Sequence, residues 1–281
     1  SVFGTEEIYL IEGNGIMRIA VCMKQVPAVN EGKMDEKMGT LIRKDLPPIV
    51  NPYDMHALET ALRLKDSRGA VIAVFTMGPR NAESLLKEAF AMGADEGYLI
   101  SDRSFAGADA IATAYTLAQA IESKGPFDMV ICGRQTTDGD TAQVSGATAR
   151  FMGIPHVNWV IDLAEVSNTS VTVLSRMEQN VITAKMSFPC LISVERSICI
   201  PRIPTLASKI KSKKKSVELI TLNDLGDSNP EYYGMKGSAT KVVKIFSPES
   251  AKQFEVAMLS GKEAAKYIMD ILGNLSGNRN S

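Results

Sequence analysis

The chain has 281 residues, 45% of them hydrophobic and 22% charged, with a formal net charge of −1. That balance is ordinary for a globular protein and offers neither nucleic acid nor a membrane surface an electrostatic foothold. No run approaches the roughly 20 apolar residues that a membrane span needs.

The length suits one large domain with an appendage about as well as two small domains. Cys22, Cys132, Cys190 and Cys199 are scattered, with no C-x-x-C among them. That spacing argues against a metal or iron–sulfur site and against a disulfide scaffold, so a reduced, cytoplasmic protein is expected. Residues 1–16 carry Glu6, Glu7 and Glu12 and no basic leader, unlike a signal peptide. They are set apart as an extension ahead of Met17.

Residues 18–24 (RIAVCMK) form a short apolar run, read as a buried strand. Residues 30–44 are polar and without period. Asn51, Pro52, Tyr53 and Asp54 signal a turn into a helix over 55–65, ended by Gly69. A second strand is expected over 70–77, a helix over 82–92 closed by Gly93, and a third strand over 97–101. An Ala-rich helix over 108–124 leads to a fourth strand over 127–132, then a helix over 141–152. Strand character continues over 156–163, 171–177, 180–186 and 189–195, with an antiparallel texture from 157 to 186. Short apolar strands alternating with helices predict an α/β fold with a doubly wound, mostly parallel sheet. Its domain is expected to run from 17 to 195. Residues 196–281 read as a loop and arm ending in a helix over 248–272.

In such sheets ligands sit beyond the carboxyl ends of strands. Residues 133–144 leave the fourth strand and are the most informative dozen in the chain. Gly133 and Gly139 allow backbone freedom. Asp140 or Thr141 can cap the following helix, whose start attracts phosphate, and Arg134 can add positive charge. Asp138 and Gln143 suit ribose hydroxyls. The same residues also fit a well-capped strand-to-helix loop with no ligand at all. Neither G-x-G-x-x-G nor a Walker A loop occurs.

Five segments taken in order resemble the β subunit of electron-transfer flavoproteins. They are residues 21–27 (VCMKQVP), 51–54 with 57–59, 77–79 (MGP), 91–95 (AMGAD), and 132–143 with its G-R-Q-x-x-D-G-D-T-A-Q pattern. The resemblance implies binding of AMP or the adenosine part of FAD. It assigns cofactor contacts to Cys22, Asn51, Pro52, Tyr53, Asp54 and Met77. It assigns more to Gly133, Arg134, Gln135, Thr136, Thr137, Asp138, Gly139, Asp140, Thr141, Ala142, Gln143 and Val144. Cys22 is read as an inert pocket wall, since no base accompanies it.

Residues 101–113 resemble the electron-bifurcating members of that family found in anaerobes. This implies a complete FAD in place of AMP, with NADH as the hydride donor, and adds Asp102, Gly107, Ala108, Asp109 and Thr113 to the site. Ala110 and Ala114 stand where related sequences carry hydroxyl residues, so no side-chain contact is expected from them. Without the resemblance, the same stretch is an Ala-rich core helix with Asp109 at its positive end.

The family implies two protein partners, an electron-transfer flavoprotein α subunit wrapped by the C-terminal arm and a flavin-containing dehydrogenase. Ferredoxin or flavodoxin is a further acceptor for a bifurcating member. Ile198, Cys199, Ile200 and Pro201 fall where the family grips its dehydrogenase, though the same residues equally fit a buried loop under the domain's own helix, and Leu219, Ile220, Ile268, Ile271 and Leu272 are expected to be covered only by the α subunit. An ordinary carrier with structural AMP, an ATP-using α/β enzyme and a nucleotide-sensing module are the competing readings. His56 and His156 have no nucleophile or ligand spacing around them and are assigned to structure.

Overall fold

The computed structural model describes residues 15–28, 34–35, 40–41, 48–241 and 258–277. The chain divides into two units, Ser1–Val243 and Lys244–Ser281. Most of the expected 1–16 extension, much of the polar stretch over 30–44, and residues 248–257 of the expected last helix lie outside the described residues.

In the first unit, β1 (Arg18–Cys22), β2 (Val71–Met77), β3 (Glu96–Ile100) and β4 (Met129–Gly133) alternate with helices α1 (Pro52–Arg68), α2 (Glu83–Met92) and α3 (Ala110–Lys124). After them come α4 (Val144–Phe151), β5 (His156–Val166), β6 (Ser170–Arg176), β7 (Val181–Ser187), β8 (Cys190–Val194), α5 (Leu206–Ser212) and β9 (Glu218–Ile220). One nine-stranded sheet results, in the order β7-β6-β5-β8-β4-β1-β2-β3-β9. Pairing is parallel from β5 across to β9, and β6 alone is reversed, running antiparallel to both β5 and β7.

The central strands are buried on both faces, which is why they read as unbroken apolar runs. One face packs on α1 and α2 through Ile72, Val74, Leu58, Leu62 and Leu86. The other packs on α3 through Phe75, Val130, Leu117 and Ile121. Helix α1 is longer than its apolar spacing suggests, because Pro52 at its first turn sacrifices no hydrogen bond. It stops at Gly69, whose φ of 74° lets its N–H reach the Lys65 carbonyl at 2.8 Å.

The chain expected to leave the domain after residue 195 stays on it as far as the segment near residue 240. Arg202 reaches back to α1, and β9 adds the ninth strand by pairing Glu218, Leu219 and Ile220 with Tyr98, Leu99 and Ile100 of β3. Lys215 donates to the Ala94 carbonyl at 2.6 Å, which ties the lysine-rich segment over 209–215 to the domain. Ile220 and Tyr233 are fully buried, and Leu219 packs on the core. Leu219 and Ile220 therefore need no partner subunit to cover them. Three residues of β-pairing are too short to stand out in a polar, lysine-rich stretch.

In the second unit, Ser260 donates through N–H and hydroxyl to Glu263 at the start of α6 (Gly261–Gly277). Ile268, Ile271 and Leu272 are exposed on that helix.

Since Ile220 sits in the sheet, Ile220→Ala should lower the stability of the domain by about 2–5 kcal/mol in a urea titration. A residue lying outside the domain would show almost none.

Candidate functional site

The carboxyl ends of β1, β2 and β4 open into a cavity of about 1020 Å³, at the upper end of the range for small-molecule sites. Cys22 and Cys132 stand opposite each other on β1 and β4 and line it, with Met77 from β2. Residues 101–110 form one wall, and the loop after β4 forms the other. The cavity is thus built where parallel-sheet topology puts it.

The loop wall is set by the start of α1. The Asn51 side chain, fully buried, donates to the Gln135 carbonyl at 2.9 Å and accepts from Thr137 N–H at 3.3 Å. Asp54 accepts from Lys24 N–H at 2.7 Å. Gly133 passes so close that a Cβ there would lie 2.7 Å from the Tyr53 carbonyl carbon and against the Asp54 carboxylate. Only glycine fits that crossing. Asn51, Pro52 and Tyr53 thus stand behind the loop and outside the cavity lining, whereas Asp54 reaches the cavity.

Of the remaining assigned residues, Asp102, Gly107, Ala108, Asp109, Thr113, Gly133, Arg134, Gln135, Thr136, Gly139, Thr141, Ala142, Gln143 and Val144 line the cavity, as do Cys22 and Met77. Thr137, Asp138 and Asp140 do not. Asp138 instead makes an ion pair with Lys24, whose Nζ is 2.7 Å and 2.9 Å from its two oxygens. Asp140 accepts from the Gln135 amide. Neither Asp140 nor Thr141 caps α4. Gln143 occupies the cap position without a side-chain hydrogen bond, so the first amides of α4 are left for another acceptor. Asp140 and Ala142 both adopt φ of 53°, a left-handed conformation that non-glycine residues take up sparingly.

The wall carboxylates are committed to the protein's own amides. Asp102 accepts from Ser104 N–H at 2.9 Å and Leu222 N–H at 3.3 Å. One Asp109 oxygen accepts from Ile111 and Ala112 N–H, each at 3.0 Å, and the other accepts from Thr240 N–H at 2.8 Å. Asp109 is the α3 cap and a tether for the chain near 240. Arg134 turns to Glu195 at 2.6 Å and lies over the Trp159 ring. Arg80 and Arg103 line the cavity without an ion-pair partner among the described residues. They are positive charges that no sequence pattern singled out, and neither was Thr221, which lines the cavity with Lys24. The strand-end rule points to Lys24; Thr221 depends on β9, which no pattern announced.

Burial drives the Asp54 carboxyl up from 3.8 to about 7, outweighing the hydrogen bonds from Lys24, Asn51 and Gly133 that favour its ionised form. The Cys132 thiol is raised by its hydrogen bond with Cys22 and by burial, which suits a pocket wall better than a nucleophile.

The expected partner loop is divided. Ile198 packs on the domain core, Cys199 is buried with its carbonyl 2.9 Å from His56 Nδ1, and Pro201 is half-buried. Ile200 is 85% exposed and Ile203 89%. Between them Arg202 grips Glu59, which is 4% exposed, through N–H at 3.1 Å, Nε at 2.8 Å and Nη2 at 3.1 Å. Burial would raise the Glu59 carboxyl, but Arg202 outweighs it and holds the group below its ordinary range.

No helix among the described residues is long and apolar enough to cross a membrane. No group of three or more His, Cys, Asp or Glu among them could hold a metal ion.

Fold and cavity together define an α/β protein with a nucleotide-sized crevice at the carboxyl edge of its sheet. A profile of the electron transfer flavoprotein domain matches residues 38–225. The chain is 40% identical over 259 residues to the electron transfer flavoprotein subunit beta of Thermoanaerobacterium thermosaccharolyticum, covering 92% of this chain and 98% of that protein. It is 42% identical over 233 residues to the caffeyl-CoA reductase-Etf complex subunit CarD of Acetobacterium woodii, covering 83% and 88%. It is 37% identical over 255 residues to FixA of Azorhizobium caulinodans, covering 89% and 90%. The chain belongs to the electron transfer flavoprotein family, on the β-subunit side of these electron carriers.

Two outcomes follow from the α1 start. Asn51→Ala should speed amide exchange at 135–137 by severalfold, because the two hydrogen bonds that hold Gln135 and Thr137 to the start of α1 go with it. Asp54, whose folded pKa is raised, favours folding below its unfolded value of 3.8 and loses that contribution as pH rises through about 7. In Asp54→Asn the fall in unfolding midpoint between about pH 6 and about pH 8 should be smaller than in the parent.

Proposed function

We propose that the chain carries electrons as the β subunit of a heterodimer, holding the adenine-nucleotide part of FAD, or AMP, in the cavity between β1, β2 and β4. The observation that carries this reading is the open α4 start facing that cavity. Gln143, Val144 and Ser145 line it, and no side chain caps the helix. Such a start takes an anionic phosphate readily, and Arg80 and Arg103 line the same cavity as positive charge. Thr136, Thr141 and Gln143 offer hydroxyl and amide groups to a ribose, and Cys22, Cys132 and Met77 offer an apolar bed to a base.

A bound flavin would supply the one- and two-electron chemistry. This chain's part is to place the cofactor and shield it. We read the site as large enough for a whole FAD, with NADH as hydride donor in a bifurcating system. Support comes from the 101–109 wall, which bears the resemblance to bifurcating members and lies on the same cavity. CarD, named as part of a reductase–Etf complex, favours a flavin-containing dehydrogenase as one partner. In that system ferredoxin or flavodoxin is the second acceptor, the α subunit covers the apolar face of α6, and the assembly works in the cytoplasm. Ile200 and Ile203 are the better anchors for the dehydrogenase, since Ile198 is taken up by the chain's own core.

Cofactor content of the purified heterodimer tests this. Two FAD per heterodimer are expected; one FAD with one AMP would make it an ordinary carrier, and no adenine nucleotide would overturn the reading. Thr136→Ala combined with Gln143→Ala should lower nucleotide content while the unfolding midpoint of the nucleotide-free protein stays that of the nucleotide-free parent. Ile200→Asp should raise the KM for the dehydrogenase partner about tenfold or more, leaving bound flavin intact.

A further inference from the structure

Asp138 and Asp140 are the charged residues of the G-R-Q-x-x-D-G-D-T-A-Q loop that lie off the cavity wall, and of the two, among the described residues, only Asp138 pairs outside the loop. Its carboxylate faces Lys24, which does line the cavity, and takes Nζ at 2.7 Å and 2.9 Å. Both side chains keep partial contact with solvent, at 45% and 30% exposure.

The loop's anchoring is uneven. Its inner half is fixed by Asn51, which holds Gln135 and Thr137. From 138 to 142 the backbone bends through two left-handed residues, and its other hydrogen bonds stay within the loop, Asp140 N–H to the Thr136 carbonyl, the Gln135 amide to Asp140 and the Thr136 hydroxyl to Asp138. Among the described residues, Lys24 is the only hydrogen-bonded tie from 138–142 to another part of the chain. That tie joins the outer half of one cavity wall to the strand end at the cavity floor.

We propose that the Lys24–Asp138 ion pair is a latch: it closes residues 138–142 against the end of β1 and sets how fast a bound adenine nucleotide leaves. This rests on the reading that the cavity holds such a nucleotide. Lys24 and Asp138 act here as positioning residues. The pair is partly exposed, so its contribution is modest and opening is frequent, as entry and exit require.

The test uses the complete chain in its purified assembly, with FAD as the probe and its release followed by fluorescence during displacement with excess AMP. Asp138→Asn and Lys24→Gln should each speed release roughly 2–5-fold, the range that an ion pair of this exposure supports. Together they should do no more than either alone, because both remove one interaction. The exchanged pair, Lys24→Asp with Asp138→Lys, should bring release back to within about twofold of the parent. In the ligand-free chain, amides 138–142 should exchange faster in Asp138→Asn, with those at 135 and 137 unchanged. Unaltered release in Asp138→Asn would overturn the latch. So would an exchanged pair that fails to recover while Lys24→Gln alone loses affinity, since Lys24 would then be serving the phosphate directly. A parent chain that binds neither FAD nor AMP would overturn the cavity reading itself, a result distinct from either of these.

Discussion

The site depends on how α1 begins. Within four residues, Asn51 to Asp54, the chain bonds to the end of β1, supports the exit of β4 and pins the loop that follows it. Parallel strands leave their carboxyl ends unconnected, because each crossover starts there and travels away. Without a tie between those ends, the loops around them would define no fixed crevice. A buried carboxyl and a buried amide supply that tie, and the glycine at 133 is the clearance they demand.

This arrangement explains how a family signature can be part contact and part scaffold. The N-P-Y-D turn and the loop after β4 were legible together as marks of one site, yet their members divide by task. Gln143 and Thr141 reach the cavity, whereas Asn51 and Tyr53 lie behind it. Polar residues that hold a loop and polar residues that hold a ligand look alike in one dimension. Asp109 is the plainest case: its position on the wall could be anticipated, but both oxygens are committed to the α3 amides and to Thr240. The alternation of strands and helices was legible throughout, because burial on both faces of β1, β2 and β4 leaves an unmistakable apolar run. β9 was not, since three residues at a sheet edge need only one fully buried side chain, Ile220.

The charges follow the same logic. Arg134 stands in the loop where a phosphate partner is sought, but the nearer obligation is Glu195 at the end of β8, with Trp159 beneath the guanidinium. Glu195 follows the strand next to β4 in the sheet but lies far from the loop in sequence, so no local pattern could announce the pairing. What remains for an incoming anion is the helix start and two arginines on the walls, a softer field than a dedicated cationic pocket would give.

The grip of Arg202 on Glu59 has a consequence for encounters with other proteins. Because a buried acid and a forked cation hold the chain between Ile200 and Ile203, that knob has already surrendered its freedom when the domain folds. A protein that meets it need not freeze a wandering segment, so less of the contact energy is consumed in ordering and brief collisions can become productive ones.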